Sequence, residues 1–140
     1  MVQWYKMISS FAQLSPNSFG SFKEYPYLCG ENYTFTMSRK EIVNQISQAI
    51  RRVDPTATAI LYGSEARGDA RPDSDIDVLI LLEGERRDLK HEDQLAGELY
   101  EIELATGVVV SPMIMLRKQW ENRPFKTPFY VNVMNEGIRI

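Results

Sequence analysis

The most informative part of the chain is Leu61-Tyr-Gly-Ser-Glu-Ala-Arg-Gly-Asp-Ala-Arg-Pro-Asp-Ser-Asp-Ile-Asp-Val-Leu-Ile-Leu81. It begins at the end of one apolar run of strand length, residues 57–62, which stops at Gly63. It ends inside a second run, residues 75–82, whose polar residues lie only at its start. A strand that is apolar on both faces is typical of the centre of a covered sheet. The sequence therefore predicts two buried strands joined by a polar connection.

Two pairs of residues in this stretch have the chemistry of phosphate and metal binding. Gly63 and Ser64 come directly off a strand end and open a helical turn, so backbone N–H groups and the Ser64 hydroxyl can point at an anion. Asp75 and Asp77 are two apart on a strand, so their side chains emerge on one face while Ile76 points into the core. Mg²⁺ prefers oxygen ligands and commonly binds through one or two carboxylates plus substrate phosphates.

Each pair alone is a weak signal, because a Gly-Ser pair is usually a turn and an isolated Asp-x-Asp is more often a solvated strand end. Found together between two predicted strands, they indicate a joint site for a nucleotide and a divalent metal ion.

Helix and strand signals outside this stretch place the remaining elements. Ser38 and Glu41 form a capping box in front of an apolar stripe at helical spacing. Pro112 removes a hydrogen-bond donor from a later strand, which favours an edge position or a bulge. The predicted elements are a helix ending near Val53, a long helix over residues 85–106, a strand over residues 108–116 and a short helix between Thr127-Pro128 and Gly137.

Composition bounds the class of protein. The 140 residues are 44% hydrophobic, enough for one domain with a core and too few for two ordinary domains. A formal charge of −3 gives no general attraction to nucleic acid. The single cysteine, Cys29, excludes an intramolecular disulfide and a Cys-rich zinc site. Neither a signal peptide nor a bilayer-spanning run is present, so the sequence predicts a cytoplasmic protein without a membrane partner.

The first 36 residues differ in character from the rest of the chain. Residues 1–36 are rich in Ser, Pro, Gly, Asn and aromatic residues and show no sustained periodicity. We predict that they form a dispensable N-terminal extension to a domain over residues 37–140, for which Met37 would be a natural start.

The spacing of Gly63-Ser64, ten residues and Asp75-x-Asp77 resembles the signature of the DNA polymerase beta nucleotidyltransferase superfamily. The chain is most similar to the minimal nucleotidyltransferase group of that superfamily, from about residue 38 to residue 140. The resemblance implies an α/β (α+β) fold, the polymerase-beta-like nucleotidyltransferase fold, in which helices pack on a small mixed β-sheet.

The same resemblance implies the activity and the site. Gly63 and Ser64 would bind the triphosphate of an incoming nucleotide, and Asp75 and Asp77 would be the catalytic residues that hold Mg²⁺. Arg67 would add positive charge near the phosphates, although an arginine beside several acids is as often part of a structural salt bridge. A hydroxyl would attack the α-phosphate of the nucleotide, with ATP and AMP transfer expected, and pyrophosphate would leave.

One position departs from the pattern of active members, which carry a third carboxylate on a neighbouring strand. In the strand predicted over residues 108–116, Ser111 is the only polar side chain, and no Asp or Glu occurs over residues 107–119. A neutral serine cannot act as a general base unaided. Glu101 or Glu103 could replace the third acid, but the simpler interpretation is that both face solvent on a helix.

Two functions therefore follow from the sequence. The first is a Mg²⁺-dependent nucleotidyltransferase that moves AMP to a hydroxyl acceptor. By resemblance the acceptor belongs to a small HEPN-like partner protein, as in toxin-antitoxin pairs, or to an antibiotic. The second is a catalytically impaired nucleotide-binding module that regulates or neutralises a partner protein by binding to it.

Overall fold

A computed structural model describes residues 37–140, in which five helices and four strands follow one another. The predictions made for residues 1–36 lie outside the described residues. In chain order the elements are α1 (Arg39–Val53), β1 (Thr58–Tyr62), α2 (Gly63–Arg67), β2 (Ile76–Leu82), α3 (Leu89–Thr106), β3 (Val110–Leu116), α4 (Arg117–Glu121), α5 (Pro128–Glu136) and β4 (Ile138–Arg139).

The four strands form one mixed sheet in the order β3-β2-β1-β4. β1 is antiparallel to both β2 and β4, whereas β2 and β3 are parallel. β2 is a central strand and is buried along its length except at Asp77, as its apolar sequence predicted. β3 lies at the edge of the sheet, as Pro112 predicted. Proline has no backbone N–H, and an edge strand has no outer neighbour that would accept a hydrogen bond from it. The predicted α/β (α+β) fold with a small mixed sheet is confirmed.

Helix α1 begins at the predicted capping box. The Ser38 hydroxyl accepts a hydrogen bond from the Glu41 backbone N–H, and the Glu41 carboxylate accepts one from the Ser38 N–H at 2.7 Å. The helix then buries Ile42, Ile46 and Ile50 against the sheet. Full burial of an isoleucine contributes about 2 kcal/mol, so this stripe fixes which face of α1 lies on the sheet.

Side chains of β2 alternate between two apolar cores on opposite faces of the sheet. One core, beneath α1 and α3, takes Ile76 and Val78 from this strand. The other core, beside α4 and α5, takes Leu79 and Leu81. By the same alternation, the Asp77 side chain lies on the face that carries α4 and α5.

Helix α3 begins at Leu89, so the predicted start at residue 85 was wrong. The Asp88 carboxylate caps the helix by accepting from the backbone N–H groups of Lys90 and His91 at 3.1 and 3.3 Å. The Asp88 cap sets the start of the helix even though the Glu and Arg residues before it are themselves good helix formers. Each helix within residues 37–140 is too short or too polar to span a bilayer.

The shortest elements could not be predicted. Helix α4 has five residues and strand β4 has two, which is too few for a periodic pattern. The strands also begin slightly later than predicted, and β2 begins at Ile76, which leaves Asp75 just before the strand. The short helix expected between Thr127 and Gly137 is present as α5.

Candidate functional site

The chain passes from β1 into α2 through Gly63, with the backbone in a conformation that favours glycine. Gly63 has φ = +69°, in the left-handed region that side-chain-bearing residues rarely adopt. A Cβ at this position would lie 2.6 Å from Oδ2 of Asp77. Gly63 is therefore required both by the turn and by the closeness of the Asp77 carboxylate.

Gly63→Ala is expected to lower the free energy of unfolding by about 2–3 kcal/mol, because it adds a steric contact with Asp77 to the backbone strain. Gly68→Ala is the matched control, since Gly68 has φ = +77° but a Cβ at that position would meet nothing within 4 Å. It should cost only about 1 kcal/mol. Urea unfolding of both variants measures the difference, and equal losses would contradict a tight contact at Gly63.

Asp75 and Asp77 lie at the start of β2, beside this turn. Asp77 is the second residue of the strand and is half-buried, whereas Asp75 precedes the strand and is exposed. Ile76, between them, is completely buried in the opposite core, as predicted. The structure thus brings Gly63 and the two carboxylates together, and their binding roles stay predictions.

The electrostatics around Asp75 and Asp77, beside the Gly63 turn, favour a cation. Burial, followed by the charge of Asp75, raises the pKa of the Asp77 carboxyl above its usual range, and the Arg67 guanidinium partly opposes the rise. Burial, followed by the charge of Asp77, also raises the pKa of the Tyr62 hydroxyl. Burial is the larger cause of both shifts, and the smaller cause is the negative charge of the neighbouring carboxylate, which a divalent metal ion would relieve.

Ser64 is the second residue of α2, a five-residue helix that ends at Arg67 and is capped by Gly68. The Ser64 carbonyl accepts a hydrogen bond from the Asp69 N–H at 3.1 Å, which closes the turn after the helix. The first N–H groups of any helix have no carbonyl within that helix to bind. The start of α2 therefore offers hydrogen-bond donors next to the two carboxylates, an arrangement that would suit a phosphate group and a metal ion held side by side.

Arg67 ends α2 and is exposed. Its guanidinium lies 3.4 Å from the Asp69 carboxylate and 3.4 Å from the Glu136 carboxylate. These hydrogen bonds raise the pKa of Arg67, with Asp69 as the main cause. Long, exposed pairs of this kind contribute little to stability, so they would yield readily to a phosphate. Of the two roles that the sequence allowed for Arg67, the structure shows the salt bridges. Contact with a nucleotide stays a prediction.

A cavity of about 90 Å³ lies against the turn, between α2 and α5. Its wall includes Gly63 and Arg67 on one side and residues of α5 on the other: Phe129, Asn132, Val133 and Glu136. Sequence reasoning missed the α5 residues. Glu136 meets Arg67 across 69 residues of sequence, so no local pattern could have indicated the contact.

Ser111 occupies the strand position beside Asp77. The register of the sheet pairs Asp77 with Ser111 of β3 and with Tyr62 of β1. Paired residues of neighbouring strands carry their side chains on the same face. The neutral Ser111 hydroxyl therefore lies where the resemblance to active members predicts a third carboxylate.

Neither of the alternative acids joins the site. The Glu103 carboxylate accepts a hydrogen bond from the Val110 N–H at 3.2 Å, which ties it to the connection between α3 and β3. Glu101 is exposed on α3. Among residues 37–140, no three His, Cys, Asp or Glu side chains come together as a metal site. Among the described residues, the start of β2 thus supplies two carboxylates, those of Asp75 and Asp77.

Comparisons with known proteins agree with this geometry. The family model described as nucleotidyltransferase domain matches residues 43–140, a range that contains α2, both acids and Ser111. A predicted protein adenylyltransferase of Methanocaldococcus jannaschii is 33% identical over 101 residues, which cover 72% of this chain and 93% of that protein.

Proposed function

This chain belongs to the nucleotidyltransferase domain family, and we propose that it transfers AMP from ATP to a hydroxyl group in a Mg²⁺-dependent reaction. One observation carries the proposal: the backbone at the start of α2 closely approaches the Asp77 carboxylate, with Asp75 two residues before it. Phosphoryl transfer requires phosphates and a divalent metal ion side by side, and these are the groups that would hold them.

The residues present fit Mg²⁺. Asp75 and Asp77 offer hard oxygen ligands. The pKa of Asp77 is raised first by burial and then by the charge of Asp75, and a cation between the two carboxylates would offset that second effect. Two carboxylates suffice where substrate phosphates complete the ligand shell. When bound, Mg²⁺ would supply positive charge that offsets the charge developing on the transferring group and on pyrophosphate.

The protein's own groups would position the nucleotide. The N–H groups and hydroxyl at Gly63 and Ser64 would donate to phosphate oxygens, and Arg67 would exchange its weak carboxylate contacts for a phosphate. The acceptor oxygen would bond to the α-phosphorus as the bond to the bridging oxygen breaks and pyrophosphate leaves. Because Ser111 is neutral, the acceptor's proton would pass to water or to a group of the partner.

We further propose that the acceptor hydroxyl belongs to a protein. The name of the Methanocaldococcus jannaschii relative, a predicted protein adenylyltransferase, supports a protein acceptor. The resemblance to the minimal nucleotidyltransferase group extends the proposal to a HEPN-like partner, in an antitoxin role.

A second candidate function is a nucleotide-binding module that acts on a partner by binding alone. The observation that favours it is the register of β3, which puts Ser111 in place of an acid beside Asp77. Such a protein would keep its affinity for Mg²⁺ and ATP and would bind its partner without modifying it.

Incubation with α-labelled ATP and Mg²⁺, with and without a HEPN-like partner encoded by a neighbouring gene, tests these functions. The Asp75→Asn, Asp77→Asn double variant is the negative control. Label on the partner that disappears with the double variant supports transfer. If no label is transferred and the double variant still binds the partner, the transfer proposal is wrong and the binding function stands.

We also expect a protein that begins at Met37 to fold and bind like the full chain. The capping box satisfies the first turn of α1 from Ser38 onward, so this helix does not depend on an upstream donor or acceptor for its cap. The unfolding temperature and the affinity for Mg²⁺ and ATP should both match those of the full chain. Loss of either would show that residues 1–36 contribute to the domain or to its site.

A further inference from the structure

Arg39, the first residue of α1, connects the two halves of the candidate site from outside it. Its Nε donates to the Glu65 carboxylate of α2 at 2.7 Å. The same guanidinium donates to the carbonyl of Pro72 at 3.3 Å and to that of Asp75 at 3.4 Å. Arg39 lies before residues 43–140, the range that the family model matches.

These contacts join the two segments that carry the candidate site, the start of α2 and the segment that ends at Asp75. Glu65 follows Ser64 directly in α2, and Asp75 is the acid just before β2. Between them, the connection from 68 to 75 is held mainly by local turns, such as the Ser74 N–H donating to the Arg71 carbonyl at 3.0 Å. Among the described hydrogen bonds, those from Arg39 are the ones that tie the end of this connection, residues 72–75, to another helix.

The setting of Arg39 suits a fixed, directional contact. Its side chain is 20% exposed and that of Glu65 is 15% exposed, so the ion pair is shielded from water and its hydrogen bond is charge-assisted. Only arginine presents a rigid fork of N–H donors that can serve one carboxylate and two carbonyls at once. A cation in the first turn of a helix is unfavourable for the helix dipole, so helix stability does not explain the residue.

We propose that Arg39 is a positioning residue that sets the placement of the Asp75 segment relative to the Ser64 turn. The proposal rests on the proposed function, because Ser64 and Asp75 are the groups assigned to phosphate and metal. Arg39 itself would touch neither the nucleotide nor the metal ion. Its loss would loosen the 68–75 connection and leave Asp75 poorly placed for binding.

The test compares Arg39→Ala and Arg39→Lys with a matched control, Arg52→Ala. Arg52 is also in α1 and pairs with Glu98 at 2.8 Å, but both side chains are well exposed, at 66% and 41%. Hydrogen exchange of residues 68–75 is measured by mass spectrometry in metal-free, nucleotide-free protein. Affinity for Mg²⁺ with an ATP analogue that resists cleavage between the α- and β-phosphates is measured by calorimetry, well below the unfolding temperature.

For Arg39→Ala we expect exchange in residues 68–75 to become about tenfold faster. We expect the affinity for Mg²⁺ and the analogue to fall about 10- to 100-fold, the range typical for losing a group that orients a metal ligand. Arg39→Lys keeps a positive charge for Glu65 but loses the forked N–H donors of the guanidinium. Its exchange rate and its affinity should therefore lie between those of wild type and Arg39→Ala. Arg52→Ala should match wild type in both measurements.

Unchanged exchange in residues 68–75 overturns the inference, and so does faster exchange with unchanged affinity. If Arg39→Ala does not fold, Arg39→Lys decides by the same two measurements. If wild-type protein binds no Mg²⁺ and no analogue, the proposed function fails instead, and the exchange data still show whether Arg39 places the Asp75 segment.

Discussion

Asp77→Asn is expected to reduce nucleotide transfer by at least about 100-fold while making the metal-free protein more stable. Activity would fall because asparagine would remove one of the two proposed anionic metal ligands. Stability rises because the Asp77 carboxyl is half-buried and faces Asp75, so ionising it in the folded protein is unfavourable, as its raised pKa indicates. Transfer assays with labelled ATP and urea unfolding in a chelating buffer measure the two effects.

The sign of the pH dependence follows from that shift. The folded pKa of Asp77 is raised, first by burial and then by Asp75, with Arg67 opposing and Tyr62 neutral beside it. The stability advantage of the wild-type acid is fully present below the unfolded pKa and is lost as pH rises through the higher folded pKa. Wild type and Asp77→Asn should therefore be similar in acid and diverge as pH rises towards neutral.

Adding Mg²⁺ with ATP should reverse the order of stability. A ligand at about 100 times its dissociation constant stabilises the folded protein by about 2.7 kcal/mol, and only wild type would gain this. Asp73→Asn is the matched control, because Asp73 is in the same connection but its side chain is 80% exposed and, among the described residues, pairs with Arg71 alone. If the Asp77→Asn variant transferred label as fast as the Asp73→Asn variant, Asp77 would not belong to the proposed site.

Local signals account for the parts of the fold that the sequence predicted. The capping box at Ser38 and the cap at Thr127 act within one helical turn, so the few residues around them are enough to indicate a helix start. The run after Asp77 is apolar on both faces because β2 is covered on both sides, and this too is visible within one segment. The same holds for Gly63, which the turn itself requires.

Contacts between distant segments could not be predicted, because they depend on the strand order and on how helices cross the sheet. Arg39 meets Asp75 across 36 residues, and Arg67 meets Glu136 across 69. Ser111 could be identified as the neutral residue of its strand, yet only the register shows that it lies directly beside Asp77. The pairing of strands therefore decides how Ser111 bears on function.

Ser111→Asp is expected to raise the rate of transfer by about 100-fold or more, because it puts a carboxylate beside Asp77 that could take the acceptor's proton. The register of β2 and β3 puts the two side chains on one face, and Ser111 is half-buried at the edge strand, where a slightly larger side chain can be accommodated. The rate is measured with labelled ATP and the protein acceptor at saturating Mg²⁺.

Ser111→Asn separates charge from size, since it has nearly the shape of the aspartate but cannot accept a proton. It should leave the rate unchanged. The added carboxylate should also repel Asp77, so Ser111→Asp should be less stable than Ser111→Asn in chelating buffer and should regain stability as Mg²⁺ is added. A gain in rate for Ser111→Asp alone would mean that the two natural acids already place the nucleotide productively and that proton removal limits transfer. The same rate for both variants, with the expected response to Mg²⁺, would mean that the new acid reaches the metal and that proton removal is not the limiting step.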